Sequence, residues 1–107
     1  MYHLTKTSNV SSILEFGLTP NEEGCIYLST DWKDIIDCNY LPELYDEDSF
    51  SVLLVNSNSL NLEQDPEFDD ADLAFICRTT ITPNNISLIG NYKFCGMRGS
   101  QKLFKKI

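Results

Sequence analysis

The residue types in this chain that could ligate a metal or act as nucleophiles or bases include a single histidine and a set of cysteines. The histidine is His3, and the cysteines are Cys25, Cys38, Cys77 and Cys95. A structural zinc site needs four nitrogen or sulfur ligands, commonly in C-x-x-C pairs, and the chain has no such pair. We therefore expect no metal site and reduced thiols rather than disulfides. An isolated histidine is usually structural, so His3 depends on its neighbours for a functional interpretation.

Charge is distributed unevenly along the chain, which carries a net charge of −8. No lysine or arginine lies between Asp34 and Cys77, whereas acidic residues are frequent there. A small basic tail follows, formed by Arg98, Lys102, Lys105 and Lys106. The acidic block is either a solvated surface or a binding surface for a basic protein, and the tail could fold onto it or contact an anionic partner. Strong direct binding to nucleic acid is disfavoured, because it requires clustered cations.

The length of 107 residues predicts one domain, residues 1–107, with a core of its own. The N-terminus lacks the basic and apolar regions of a signal peptide, and no apolar run approaches the roughly 20 residues of a membrane span. These features favour a soluble, cytoplasmic protein without membrane partners.

Periodicity predicts two helices followed by a run of strands. Val10, Ile13 and Leu14 have helical spacing after a possible cap at Thr7 or Ser8, and Gly17 should end that helix. Thr30 resembles the N-cap of the second helix. The predicted strands are Tyr2–Thr5, Cys25–Leu28, Phe50–Val55, Leu60–Leu62, Leu73–Thr80 and Ile86–Phe94, the last interrupted at Gly90-Asn91. The apolar run Phe50–Val55 should be central and covered on both faces.

This order of elements predicts an α+β domain with antiparallel sheets and helices packed against them. No glycine-rich phosphate loop is present, so neither a Rossmann nor a P-loop nucleotide site is supported.

Several motifs, in their order, resemble the histidine class of ADP-ribosyltransferases. Tyr2-His3-Leu4-Thr5 looks like the first-strand motif, and Ser12–Leu18 is similar to the following helix in DarT-type DNA ADP-ribosyltransferases and RNA 2′-phosphotransferases. Tyr27–Asp31 looks like the second motif strand and the start of its helix. Phe50–Val55 followed by Leu60–Asp65 is similar to the central strands, and Ile81–Ile86 resembles the isoleucine-proline turn after the catalytic strand. The resemblance covers about residues 1 to 90 and implies split antiparallel β-sheets with two N-terminal helices.

The resemblance also implies NAD as the substrate and assigns residues to it. His3 would bind a ribose hydroxyl, and the Leu4 backbone would hold the nicotinamide amide. Thr5 would support the same strand, and Tyr27 would stack on the nicotinamide. Ser29, which equally fits a simple helix cap, would help to place the ribose. Tyr40 or Tyr45 would supply a second aromatic wall, or be an ordinary loop aromatic.

The catalytic acid departs from the family pattern. A glutamate is expected near Ala74, and alanine can neither bind a hydroxyl nor accept a proton. Asp72 faces the same side of the predicted strand but lies about 6.6 Å further along it. Arg78 could pair with Asp72, meet a phosphate, or be an exposed arginine at a strand edge.

Two functions are compatible with this pattern. The first is an NAD-dependent ADP-ribosyltransferase that modifies a macromolecular acceptor, with His3, Tyr27 and Asp72 as catalytic residues. By analogy, it could act as a toxin or in phage and host conflict. The second is a catalytically degenerate domain of the same fold that binds or inhibits a protein with a basic surface. An unrelated small α+β interaction module is a third, less specific interpretation.

Overall fold

A computed structural model describes residues 1–37, 49–68, 72–99 and 101–107. The strands are β1 (Tyr2–Lys6), β2 (Ile26–Ser29), β3 (Phe50–Val55), β4 (Leu62–Gln64), β5 (Ala74–Cys77), β6 (Ile86–Arg98) and β7 (Gln101–Lys106). The α-helices are α1 (Val10–Phe16) and α2 (Trp32–Asp37), and 3-10 turns span Thr7–Asn9 and Pro83–Asn85. The protein is therefore α+β, as the sequence predicts.

The strands form one antiparallel sheet in the order β4-β5-β2-β1-β3-β6-β7. The sequence predicted sheets in the plural, whereas the described strands belong to a single sheet of seven. β1 and β3 are paired along the whole of β1, from Tyr2 opposite Leu54 to Lys6 opposite Phe50. β1 and β2, by contrast, are in register at one pair, Tyr2 and Ser29. The centre of the sheet thus contains a region where two neighbouring strands diverge.

Each face of the sheet covers its own hydrophobic cluster. The α2-side cluster joins residues of α2 to alternate residues of the central strands, and includes Leu4, Trp32, Ile36, Phe50 and Val52. The α1-side cluster is built from Ile13, Leu18, Ile26, Leu28, Leu53, Val55, Cys77, Ile81 and Ile86. Because successive strand residues point to opposite faces, β3 supplies both clusters. Five of its six residues are buried, and this confirms the prediction of a central, doubly covered strand.

Gly17 ends α1, as predicted. Its amide donates to the Ile13 carbonyl at 2.7 Å, and its φ of 91° is one that residues with a β-carbon rarely adopt. The chain then reaches Leu18, whose backbone exchanges two 2.9 Å hydrogen bonds with Ile81. A β-carbon at Gly17 would overlap the Ile81 carbonyl oxygen, so glycine is required by both the conformation and the space.

The second helix begins one residue later than the sequence suggested. The carboxylate of Asp31 accepts hydrogen bonds from the amides of Lys33 and Asp34 at 3.0 and 3.3 Å, as an N-cap does. Thr30 Oγ1 instead donates to the Asp72 carbonyl at 2.7 Å. The prediction of Thr30 as the cap was therefore wrong, because its hydroxyl is engaged by the segment that precedes β5.

The C-terminal tail is part of the sheet. β6 continues beyond the predicted end at Phe94 to Arg98, and the tail returns as β7. The expected interruption at Gly90-Asn91 is instead a shift in the β3–β6 register, which lies between Val52 and Leu53 on the β3 side. The register of β6 and β7 also shifts once, between Phe94 and Gly96.

Candidate functional site

A cavity of about 290 Å³ lies on the α1 side of the sheet, where β1 diverges from β2. Its polar lining comes from β1, from the N-terminal half of α1 with the turn before it, and from the segment after Gly17. The polar side chains that line it belong to His3, Thr5, Asn9, Ser12 and Thr19. Ligand sites for small molecules typically occupy about 300–1,000 Å³, so the space suits a nucleoside-sized group rather than a complete dinucleotide.

His3 bridges the gap between the diverging strands. Its ring atom Nδ1 lies 2.8 Å from the carbonyl oxygen of Tyr27. A carbonyl oxygen can only accept a hydrogen bond, so Nδ1 carries the proton and donates it. In the neutral ring the other nitrogen, Nε2, is then a hydrogen-bond acceptor. The β2 backbone therefore sets both the orientation and the tautomer of the imidazole.

The His3 side chain lines the cavity, and its Nε2 atom is not completely enclosed. The described part of the chain contains no buried side-chain nitrogen or oxygen that lacks a hydrogen-bond partner. The hydrogen bond of His3 is made by Nδ1, so Nε2 would count as buried without a partner if it had no contact with solvent. Nε2 therefore retains some solvent contact. Burial lowers the pKa of His3 below its ordinary value of 6.5, and the hydrogen bond to Tyr27 opposes this only in part. At neutral pH the cavity thus contains an uncharged imidazole that can accept a hydrogen bond from a hydroxyl group.

The neighbouring hydroxyls are held in place by a polar network. Thr5 is buried, and its Oγ1 accepts a hydrogen bond from Asn9 Nδ2 at 3.4 Å. Ser51, which faces Thr5 across the β1–β3 pair, hydrogen-bonds Thr7 Oγ1 at 3.0 Å and Asn91 Oδ1 at 2.5 Å. Sequence reasoning identified Thr5 but missed Asn9 and Ser12. Their spacing of three residues, which places two polar side chains on one helical face, was the available signal.

Tyr27 and Ser29 lie on the other side of the sheet from His3. Ile26 and Leu28 belong to the α1-side cluster, so alternation directs Tyr27 and Ser29 toward the α2 side. The phenol of Tyr27 donates to Glu23 Oε2 at 3.2 Å. Desolvation raises the pKa of Tyr27; a hydrogen bond with Asn21 opposes this rise and the Glu23 carboxylate adds to it. Tyr27 thus meets His3 through its backbone carbonyl, not through its ring.

The predicted positions for an acid lie at the start of β5. Ala74 is opposite Ser29 in the β2–β5 pair and is 2% exposed within the α2-side cluster. A glutamate here would have its carboxylate among apolar side chains, which is consistent with an alanine at this position. Asp72 precedes β5 and is exposed, and its carbonyl accepts from Thr30.

The remaining predicted residues have separate locations. The backbone of Leu4 is paired with Val52 in β3, and its side chain is in the α2-side cluster. Arg78 forms an exposed ion pair with Glu63 next to the β4–β5 pairing, so the suggested pair with Asp72 was wrong. Tyr40 and Tyr45 lie outside the described residues.

Two further features bear on the kind of site. Within residues 1–37, 49–68, 72–99 and 101–107, no group of three or more His, Cys, Asp or Glu side chains could hold a metal ion. In the same ranges, no helix has the length and apolar character needed to cross a membrane.

Comparisons with known proteins give no match to this chain, whether with protein-family models, curated proteins or solved structures. The functional conclusion therefore depends on the cavity and the strands around it.

Proposed function

We propose that this protein binds NAD in the His3 cavity and is an ADP-ribosyltransferase-like domain that transfers ADP-ribose to a macromolecular acceptor. The observation that carries the proposal is the imidazole of His3, which lines the cavity and is held by its Nδ1–Tyr27 hydrogen bond in the tautomer whose Nε2 is an acceptor. A ribose hydroxyl is a suitable donor to such an atom, because an uncharged acceptor of fixed orientation gives both affinity and geometry.

The size of the cavity supports binding of one part of NAD. About 290 Å³ would accommodate one nucleoside portion, and the pyrophosphate and the second nucleoside would then lie outside it. The nearby hydroxyls and amides of Thr5, Asn9 and Ser12 are uncharged and can bind ribose oxygens in the same way.

A specific observation also favours the second candidate, a domain of the same fold without transferase activity. Ala74 is buried in an apolar cluster on the opposite side of the sheet from the cavity lining. Asp72, the nearest acidic candidate, precedes that strand and is exposed. Among the described residues, the cavity lining thus contains no carboxylate that could serve as the catalytic acid of the family pattern, whereas a binding module requires none.

Titration of NAD into the purified protein, followed by an assay for released nicotinamide, tests the proposal. We expect saturable binding that is lost in Ser12→Phe, which places a ring at the cavity wall, and retained in Ser11→Phe, an exposed neighbour that does not line the cavity. Release of nicotinamide supports the transferase, and binding without release supports the degenerate domain. Absence of binding at millimolar NAD, or equal binding by both variants, contradicts the proposal.

His3→Asn separates the role of Nε2 from the role of the ring in folding. An asparagine amide can still donate to the Tyr27 carbonyl but places no acceptor at the position of Nε2. We expect a folded protein whose affinity for NAD is about tenfold lower, since one hydrogen bond of this kind contributes about 0.5–1.5 kcal/mol. Unchanged affinity in a folded His3→Asn variant would remove His3 from the site.

A further inference from the structure

The hairpin of β6 and β7 concentrates the positive charge of the protein. Beyond Asp72 the chain contains no acidic residue, although the whole chain has 16. Five of its eight basic residues lie in the two hairpin strands: Lys93, Arg98, Lys102, Lys105 and Lys106. Lys93, Arg98, Lys105 and Lys106 are exposed. A positive ribbon therefore forms one edge of a sheet in a molecule that is otherwise strongly negative.

Within this hairpin two lysines oppose each other directly. Lys93 and Lys105 are partners in the β6–β7 register, so their side chains share one face. Like charges in such a pair are destabilising, and neither strand contains an acidic residue that could compensate. An anionic group supplied from outside the hairpin would remove this repulsion.

The outer side of β7 offers backbone groups as well as charge. β7 is the last strand in the order of the sheet. The Ile107 amide donates to the Asn91 carbonyl at 2.9 Å, which makes Tyr92 and Lys106 a non-hydrogen-bonded pair. The N–H and C=O groups of Lys106, and by alternation those of Phe104, therefore point away from β6. Among the described residues, no strand pairs with that side.

We propose that an extended acidic peptide segment of a partner protein binds along β7 as an additional strand. Its backbone would pair with the outward groups of Phe104 and Lys106, and its carboxylates would lie over Lys93 and Lys105. Lysines on an edge also discourage pairing between copies of the same basic strand, which leaves an acidic strand as the complementary partner. This inference is independent of NAD binding, which concerns the α1-side cavity.

A peptide fits this surface better than a nucleic acid does. The outward N–H and C=O groups match another polypeptide backbone, and β7 is six residues long. A long polyanion would extend past the hairpin into the field of a molecule with a net charge of −8, and would be repelled there.

The charge component can be tested with a capped heptapeptide of alternating glutamate and valine, labelled with a fluorophore and titrated at about 50 mM salt. We expect saturable binding, roughly tenfold weaker in Lys105→Glu. That variant keeps the hairpin folded, because it converts the like-charged pair with Lys93 into an opposite-charged one. Lys33→Glu, the same reversal at an exposed position of α2, should bind as the wild type does. No binding, or equal losses in both variants, would overturn the proposal.

Strand addition is tested by comparing Lys106→Pro with Lys106→Ala. Both variants lose the charge, but only proline removes the outward N–H, and it leaves the bonds between β7 and β6 intact. We expect the proline variant to bind the peptide about fivefold more weakly than the alanine variant. Equal affinities would contradict strand addition. Two further results would overturn the acidic peptide as the partner. One is tighter binding of a single-stranded oligonucleotide of equal charge, and the other is a dimer of the free protein, seen in sedimentation, that Lys105→Glu abolishes.

Discussion

His3 connects two strands that are hardly paired otherwise. Its ring takes the place of backbone hydrogen bonds where β1 and β2 diverge, and the same ring lines the cavity. Its structural role and the binding role proposed for it depend on one protonation state, since donation from Nδ1 and acceptance at Nε2 both occur in the neutral imidazole. The residue therefore makes stability dependent on pH, and the proposed binding of a ligand would depend on pH in the same way.

The stability of the protein should fall as the pH falls below about 6.5. The pKa of His3 is lowered in the folded protein, so the unfolded chain takes up a proton first and is favoured by acid in that range. The slope has an upper limit of about 1.4 kcal/mol per pH unit for one proton. Urea unfolding at several pH values, from neutral downward, measures it.

His3→Asn is the matched control for this prediction, because it retains a donor to the Tyr27 carbonyl without a titrating group. Above the ordinary pKa of histidine the two proteins should show similar pH dependence. Below it, the difference in free energy of unfolding should shift in favour of the variant. Parallel curves for both proteins across this range would mean that the pKa of His3 is the same in the folded and unfolded chains.

At the scale of elements, the sequence predicted those features that are determined by local physics. Gly17 was identified as the end of α1 because glycine tolerates a positive φ, and Phe50–Val55 was identified as a central strand because an apolar run needs cover on both faces. Both depend on neighbours in the sequence. The cap of α2 was misplaced because the Thr30 hydroxyl binds the carbonyl of Asp72, which is remote in the sequence.

The site was predictable only in part, for a related reason. The sequence shows that His3 and Tyr27 lie in strands, but the partner of His3 is a carbonyl whose position depends on how β1 and β2 diverge. Side-chain alternation then directs the ring of Tyr27 to the opposite face of the sheet. This orientation follows only once Ile26 and Leu28, its neighbours in β2, are known to belong to the α1-side cluster. Strand pairing, which decides both points, is not encoded in local spacing.

The close approach of Gly17, at the end of α1, to the backbone of Ile81 gives a prediction at the scale of elements. Gly17→Ala should lower the free energy of unfolding by about 2 kcal/mol or more, because the methyl group meets the Ile81 carbonyl oxygen in addition to the strain of a positive φ. Gly24→Ala is the control, since Gly24 has a φ of 77° and no atom within 4 Å of the added carbon. It should cost only about 1 kcal/mol. Equal decreases in the free energy of unfolding of the two variants, measured by chemical denaturation, would show that backbone strain alone accounts for both decreases.

At the scale of the whole molecule, charge is segregated between the hairpin and the remainder. The chain has 16 acidic and 8 basic residues, and most of the basic ones lie after the last acidic one. Attraction between the basic hairpin and the acidic remainder stabilises the position of the hairpin. The carboxylates of the remainder, which are in excess, repel one another. With a net charge of −8, we expect repulsion to be the larger of the two.

Added salt should therefore raise the melting temperature, because it screens the net repulsion. The rise in melting temperature should increase with the magnitude of the net charge in two variants that reverse an exposed charge. Compared with the wild type, it should be larger in Lys105→Glu, where the net charge goes from −8 to −10, and smaller in Glu15→Lys, where it goes from −8 to −6. Thermal unfolding between about 10 and 200 mM sodium chloride, ionic strengths that span strong and weak screening, measures all three proteins. If Lys105→Glu instead showed the smaller rise, the repulsion between Lys93 and Lys105 within the hairpin would outweigh the net charge of the molecule. The local like-charge pair would then be the dominant electrostatic feature of the fold.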